Sequence, residues 1–139
     1  MNLRAKIAVF CLFLLLFSQS ASAAFDFGNI ISDRDMQDSK SISVSTIDRF
    51  LAQHTGALKD LVFDVVNGAG QVSKKVSEII YAAGLASRIN PKVLLVTLQK
   101  EQSLIEDPSP SKNQLDWAMG YAVCDSCSKS DPAIQKYKG

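Results

Sequence analysis

Apolar and polar residues alternate at helical spacing in three stretches of the chain. In the first stretch, Ile47, Phe50 and Leu51 occupy positions i, i+3 and i+4, which lie on one face of a helix. Ser45 stands before them at the spacing of a capping box, and Gly56 is of the type that commonly ends a helix. The pattern therefore predicts a first helix that starts at Ser45 and ends by Gly56.

Two more helices are predicted on the two sides of the Asn90-Pro91 pair. The second helix is predicted from about Ser73 to Ile89, because apolar or small residues recur there at helical spacing. These residues are Val76, Ile79, Ile80, Ala83 and Ala86. Asn90 ends that helix, because a residue before proline is pushed out of helical geometry. Asn90 also serves as N-cap of the third helix, which has Pro91 at its first position and is predicted to run to Ile105.

The stretch between the first two helices does not follow one pattern. Its residues 61–66 are mostly β-branched or aromatic, which is compatible with a short strand or with a loop that crosses the core. Residues 67–70, Asn-Gly-Ala-Gly, are typical of a turn. Residues 24–44 are polar and irregular, so we expect them to form a lead-in segment. The fold class that these patterns predict is mainly α.

Residues 1–23 have the three-part layout of a secretory signal peptide. Arg4 and Lys6 supply the positive start, residues 7–17 are apolar, and Ala-Ser-Ala at residues 21–23 fits a cleavage site. The apolar run is too short for a permanent membrane span, although an uncleaved anchor is the alternative. We therefore expect a secreted, periplasmic or cell-envelope protein that meets the membrane only through its signal peptide.

Composition and charge limit the classes of partner. The 139 residues, of which 47% are apolar, suffice for one globular domain. Removal of Arg4 and Lys6 changes the formal net charge from +1 to −1, so the basic surface that binds nucleic acid is not expected. The single histidine, His54, is expected to be a surface or helix-capping residue, and no metal site or cofactor is predicted.

Cys124 and Cys127 form a C-x-x-C pair near the end of the sequence. The third cysteine, Cys11, lies within the signal peptide. An oxidising compartment favours a local disulfide between Cys124 and Cys127. The alternative is a small secreted thiol protein, but the βαβ pattern that accompanies such redox sites is missing from the sequence.

Glu101 lies at the centre of the apolar stripe predicted for the third helix. At about 100° of rotation per residue, Leu94 and Ile105 fall within about 40° of it. A carboxylate that faces apolar surroundings is costly unless it is paired or protonated, and desolvation would raise its pKa. Such a glutamate suits proton donation to a glycosidic oxygen. The alternative is a structural role, either an ion pair with Arg88, Lys92 or a lysine of the C-terminal tail, or a hydrogen bond that caps a backbone group.

The run from Ile89 to Ser103 resembles the active-site helix of lytic transglycosylases and goose-type lysozymes. In those proteins a proline-started helix, rich in leucine, valine and alanine, ends in a catalytic glutamate that serine follows. Glu101 matches the glutamate, and Ser103 comes one position later than usual because Gln102 intervenes. Residues 115–121, Leu-Asp-Trp-Ala-Met-Gly-Tyr, are similar to a segment of exported bacterial lysozyme-like proteins.

The resemblance implies a lysozyme-like helical domain over residues 45–139, incomplete at its C-terminus because the later glycan-binding elements have no counterpart before Gly139. It implies an exported enzyme that cleaves the β-1,4 bond of peptidoglycan, with Glu101 as the single general acid/base. The expected substrate-binding residues are Ser103, Asp116, Trp117 and Tyr121. A structural hydrogen bond is the alternative role for Asp116, and core packing is the alternative for the two aromatic residues. The alternative for the whole chain is a non-catalytic exported module that binds glycan or protein, a truncated remnant of such an enzyme.

Overall fold

The computed structural model describes residues 28, 30–68, 70–121, 126 and 128–138. Chain contacts group Ile31–Gly139 into one unit, which contains every helix and strand described below. The predicted signal peptide, residues 1–23, lies outside the described residues, as do Cys124 and Cys127.

The described part of the chain contains six α-helices, one short 3-10 helix and one antiparallel β-hairpin. In chain order they are α1 (Asp33–Met36), α2 (Val44–Ala52), the 3-10 helix (Ala57–Lys59), β1 (Val62–Asn67), β2 (Gly70–Lys75), α3 (Val76–Ser87), α4 (Pro91–Gln102), α5 (Lys112–Asp116) and α6 (Pro132–Gln135). The fold is therefore mixed α/β, and the prediction of a mainly α, lysozyme-like domain was wrong.

The hairpin is the element that the helical patterns did not predict. β1 pairs with β2 in a register that places Val65 opposite Val72 and Phe63 opposite Lys74. β-branched residues favour this pleated arrangement, and Gly70 adopts the positive φ of 127° that follows the turn. Because β2 continues to Lys75, α3 begins three residues after the predicted start of the second helix.

The starts of α2 and α4 are set by local caps. The Ser43 hydroxyl accepts a hydrogen bond from the backbone N–H of Thr46, so α2 begins slightly earlier than predicted. Asn90 caps α4 and Pro91 occupies its first turn, which confirms the prediction for this helix start. The Asn90 amide also donates to the backbone carbonyl of Asp35 at 2.8 Å, which ties α1 to the start of α4.

The core is formed by α2, the 3-10 helix, α3, α4 and the loop after α4. Its buried side chains are Ile47, Leu51, Leu58, Val76, Ile80, Leu95, Leu98, Leu104 and Ile105. Ser103 adopts a left-handed backbone with φ 58°, which ends α4 and turns the chain so that Leu104 and Ile105 enter the core from a loop.

Among the described residues, no single helix is both long enough and apolar enough to cross a membrane. α3 and α4 together meet the length and composition criteria as a pair, with a bend of 115° between them.

Candidate binding groove

An apolar groove with a volume of about 590 Å³ lies between α2 and α4. Its apolar walls are formed by Ile42, Phe50, Leu95, Val96 and Ile105. Val96 is 65% exposed and Phe50 is 36% exposed, so the groove presents large apolar side chains to solvent. Its polar lining residues are Thr46, His54, Lys92, Gln99, Lys100 and Glu106.

A hydrogen-bonded pair of side chains, His54 and Glu106, lies at one end of the groove. The Nδ1 atom of His54 lies 2.6 Å from Oε1 of Glu106, and the His54 ring packs against Phe50 with 4.5 Å between centroids. The Thr55 hydroxyl donates to the Glu106 carboxylate at 2.9 Å. Hydrogen bonds from His54 and then from Thr55 stabilise the charged carboxylate and hold the pKa of Glu106 below its ordinary value.

Backbone hydrogen bonds fix the same end. The N–H of Gly56 donates to the carbonyl of Ile105 at 3.1 Å, and the N–H of Ala57 donates to the carbonyl of Asp107 at 2.9 Å. A Cβ at Gly56 would overlap the backbone of Ile105, so the two loops approach as closely as they do because this position is glycine. The loop after α2 is therefore joined to the loop after α4.

The groove was not predicted from the sequence, although one signal for it was present. On a helical wheel Val96 lies about 160° from Leu98, so an apolar side chain stands opposite the buried face of α4. His54 and Glu106 are 52 positions apart, and no local pattern predicts that they meet. Among the described residues, no group of three or more His, Cys, Asp or Glu side chains is placed to hold a metal ion.

Glu101 lies on the surface of α4, and the prediction that it would be buried was wrong. Its side chain is 32% exposed, and Oε1 accepts a hydrogen bond from Lys100 Nζ at 2.8 Å. The carboxylate lies against Gly120, where an added Cβ would stand 2.5 Å from Oε2. The structure therefore brings Glu101 next to the 115–121 segment, but in a partly solvated ion pair with Lys100.

The other predicted substrate-binding residues have different surroundings. Ser103 forms the left-handed end of α4. Asp116 accepts hydrogen bonds from Lys112 at 2.7 Å and from Lys138 at 3.0 Å, and the Lys112 bond is the main reason that the pKa of Asp116 is lowered. The assignment of a substrate role to these two residues stays a prediction.

The two aromatic residues differ in exposure. The Trp117 side chain is buried, with 4% of its surface exposed. Tyr121 is 66% exposed and meets Tyr137 edge to face, with 5.0 Å between ring centroids. Tyr121 is thus the more accessible of the two, and the glycan-binding role of both residues also stays a prediction.

A family model described as LasA, N-terminal domain, matches residues 29–126. No curated protein and no solved structure matches the chain. The matched range contains all the residues that line the groove. The resemblance to the lysozyme-like superfamily was therefore wrong. Its main motif, a proline-started apolar helix with a glutamate near its end, is short enough to arise in unrelated folds, because caps and helical periodicity alone produce most of it.

Proposed function

The chain belongs to the family of LasA N-terminal domains and is an exported protein, and from that premise we propose that it is a non-catalytic module that binds a LasA-type peptidase domain. The family is that of a propeptide-like domain of LasA protease. The groove between α2 and α4 is the observation that supports a binding role, and the peptidase domain is its proposed occupant.

The groove has the composition of a protein-binding surface. Its centre is apolar, and Lys92, Lys100 and Glu106 are charged residues of its lining. An apolar centre within a polar rim is the usual anatomy of a protein–protein interface. Full burial of one large apolar side chain contributes about 1.5–3 kcal/mol, so a partner that covers Val96 and Phe50 would gain binding free energy from both.

The carboxylates near the groove favour binding over proton transfer. Glu106 is held by His54 and Thr55, and its lowered pKa keeps it charged at neutral pH. Glu101 is bonded to Lys100. A general acid must hold a proton at the working pH, and the lowered pKa of Glu106 disfavours this for Glu106. The internal hydrogen bonds of these two side chains therefore suit structural roles.

The proposal is tested by titration calorimetry of the chain against the purified peptidase domain of LasA protease. We expect a complex with the wild-type chain and at least a tenfold loss of affinity for Val96→Asp, which places a charge in the apolar centre. The matched control is Leu85→Asp on α3, which is 38% exposed and does not line the groove, and it should bind like the wild type.

Two results would overturn the proposal. The first is that the folded wild-type chain forms no complex with the peptidase domain. The second is that Val96→Asp and Leu85→Asp bind with equal affinity, because the contact would then lie away from the groove. Circular dichroism of both variants establishes that they are folded before the titration.

A further inference from the structure

A second apolar cleft, separate from the groove, lies between β1, α3, α4 and the 115–119 segment. Its volume is about 440 Å³. Its lining residues are Leu58, Phe63, Asp64, Val65, Val76, Ile79, Ile80, Ala83, Leu94, Leu98, Leu104, Leu115, Ala118 and Met119. Asp64 is the one charged residue among them, and its carboxylate accepts a hydrogen bond from Ser73 at 2.5 Å. The cleft therefore favours an uncharged, apolar occupant.

The cleft runs along the edge of β1. Phe63, Asp64 and Val65 all line it, although successive side chains of a strand point to opposite faces of the sheet. The residues paired with Phe63 and Val65 on β2 are Lys74 and Val72, and neither of them lines the cleft. β2 contributes none of the lining residues, so the cleft adjoins the β1 edge that faces away from β2.

That edge has free backbone hydrogen-bonding groups. Within the described residues β1 pairs with β2 alone, and the backbone of residues 62–67 makes no backbone hydrogen bond to another element. An unpaired strand edge is a template for a further strand, and a two-stranded hairpin is marginally stable by itself. A third strand would satisfy these groups and would fill the cleft with its side chains.

We propose that this cleft binds an extended, uncharged polypeptide segment as a third strand along β1. Main-chain hydrogen bonds to the β1 edge would supply affinity, as in other cases of strand addition. Apolar side chains at alternate positions of the segment would enter the cleft. Met119, which is 40% exposed, is an adaptable apolar side chain in the lining. This inference concerns a surface other than the groove and does not depend on the identity of the groove's partner.

The probe is a fluorescent, terminally blocked heptapeptide of alternating valine and threonine, titrated into the chain by fluorescence polarisation. We expect saturable binding, and slower amide hydrogen exchange in residues 62–67 when the peptide is bound. The same peptide N-methylated at every residue is more apolar but has no backbone donors. It should bind at least tenfold more weakly.

Two variants with the same added charge locate the site. Met119→Asp introduces a carboxylate into the cleft lining and should lower peptide affinity at least tenfold. Leu85→Asp lies on α3, at a side chain that is 38% exposed and does not line the cleft, and it should bind the peptide like the wild type.

Three outcomes would overturn the inference. The folded wild-type chain does not bind the peptide, or the N-methylated peptide binds equally well, which would indicate apolar filling without strand addition. The third is equal affinity of the Met119→Asp and Leu85→Asp variants, which would place the peptide elsewhere.

Discussion

The Nδ1 atom of His54 lies 2.6 Å from the Glu106 carboxylate, and this contact joins the loop after α2 to the loop after α4. Thr55 reinforces it, because its hydroxyl donates to both the carboxylate and the backbone carbonyl of Glu106. The contact lies where the groove ends, and the His54 ring also packs on Phe50 of the groove wall. The charged carboxylate of Glu106 therefore stabilises the junction of these two loops beside the groove.

Acid should weaken this part of the fold. The pKa of Glu106 is lowered from an ordinary value of 4.5, mainly by the hydrogen bond with His54. A carboxyl group with a lowered pKa stabilises the folded state above its unfolded pKa, and that contribution is lost as the pH falls through the folded pKa. We expect the Glu106→Gln variant to have a lower Tm than the wild type at about pH 6, and the difference to narrow by about pH 3.

The matched control for this experiment is Asp60→Asn. Asp60 is exposed and makes no side-chain hydrogen bond among the described residues, so its substitution removes a surface carboxylate without a contact and should change the Tm little. The pKa values of Asp107 and Asp116 are also lowered, so these two groups add equally to the acid sensitivity of the folded state in the wild type and in both variants. A difference between wild type and Glu106→Gln that stays constant from pH 6 to pH 3 would contradict this account.

Asn90 should contribute strongly to stability. It is 6% exposed, and its side-chain oxygen accepts hydrogen bonds from the Ser41 hydroxyl and the Lys92 N–H, while its amide donates to Asp35. Loss of an N-cap side chain costs about 1–2 kcal/mol of stability. Because Asn90 makes further buried hydrogen bonds, Asn90→Ala should lower the free energy of unfolding, measured by chemical denaturation, by about 2 kcal/mol or more.

Asn90→Ser keeps a capping oxygen, so it should lose less of the free energy of unfolding than Asn90→Ala. Asn113→Ala, at an exposed position of α5, should change it by no more than about 0.5 kcal/mol. If alanine and serine at position 90 were equally destabilising, the cap would not be the main contribution of Asn90.

Gly120 should not tolerate alanine. Its φ of 65° is in the left-handed region, which costs a residue with a Cβ about 1–2 kcal/mol, and the added carbon would also displace the Glu101 carboxylate. Gly68→Ala is the comparison, because no described atom lies within 4 Å of the added carbon and its φ lies outside that region. Urea unfolding should show a lower free energy of unfolding for Gly120→Ala but not for Gly68→Ala. Equal effects of the two substitutions would contradict a role for the left-handed backbone at Gly120.

Cell-wall digestion distinguishes binding from glycan cleavage. Because Glu101 is paired with Lys100 and partly solvated, we expect neither the wild-type chain nor Glu101→Gln to release muropeptides from purified peptidoglycan. Mass spectrometry identifies the products. A goose-type lysozyme added to the same peptidoglycan is the positive control, because it shows that this substrate can be cleaved. Release by the wild type that is lost in Glu101→Gln would establish catalysis and contradict a non-catalytic role.

Local signals in the sequence predicted the start of α4 but not its buried face. Asn90 and Pro91 fix the start of α4 through their own backbone geometry, which is why that prediction is confirmed. The end depends on the left-handed turn at Ser103, which nothing in the helical pattern indicates.

The early end of α4 explains the misplacement of Glu101. Ile105 was counted in the helical stripe, whereas it is buried from a loop. The buried residues that remain in the helix are Pro91, Leu95 and Leu98, and their centre lies about 90° from Glu101. The carboxylate therefore lies at the margin of the buried face, where water and Lys100 reach it.

Contacts between distant parts of the chain could not be predicted from local patterns. The pairing of β1 with β2 decided the state of residues 73–75, which helical spacing had assigned to the start of the second helix. The groove likewise arises from α2 and α4, which the chain separates by the whole hairpin and α3. Such sites follow from tertiary packing, whereas the motif around Glu101 lies within one helix and was therefore visible in the sequence.

The most direct test of the binding role is hydrogen–deuterium exchange of the chain with and without the peptidase domain of LasA protease. The account predicts slower exchange in residues 44–52 of α2 and residues 91–106 of α4 and its loop, which line the groove. Residues 76–87 of α3 should be unchanged. Protection confined to α3, or no protection at a concentration that saturates binding, would contradict the proposal that the groove holds the peptidase domain.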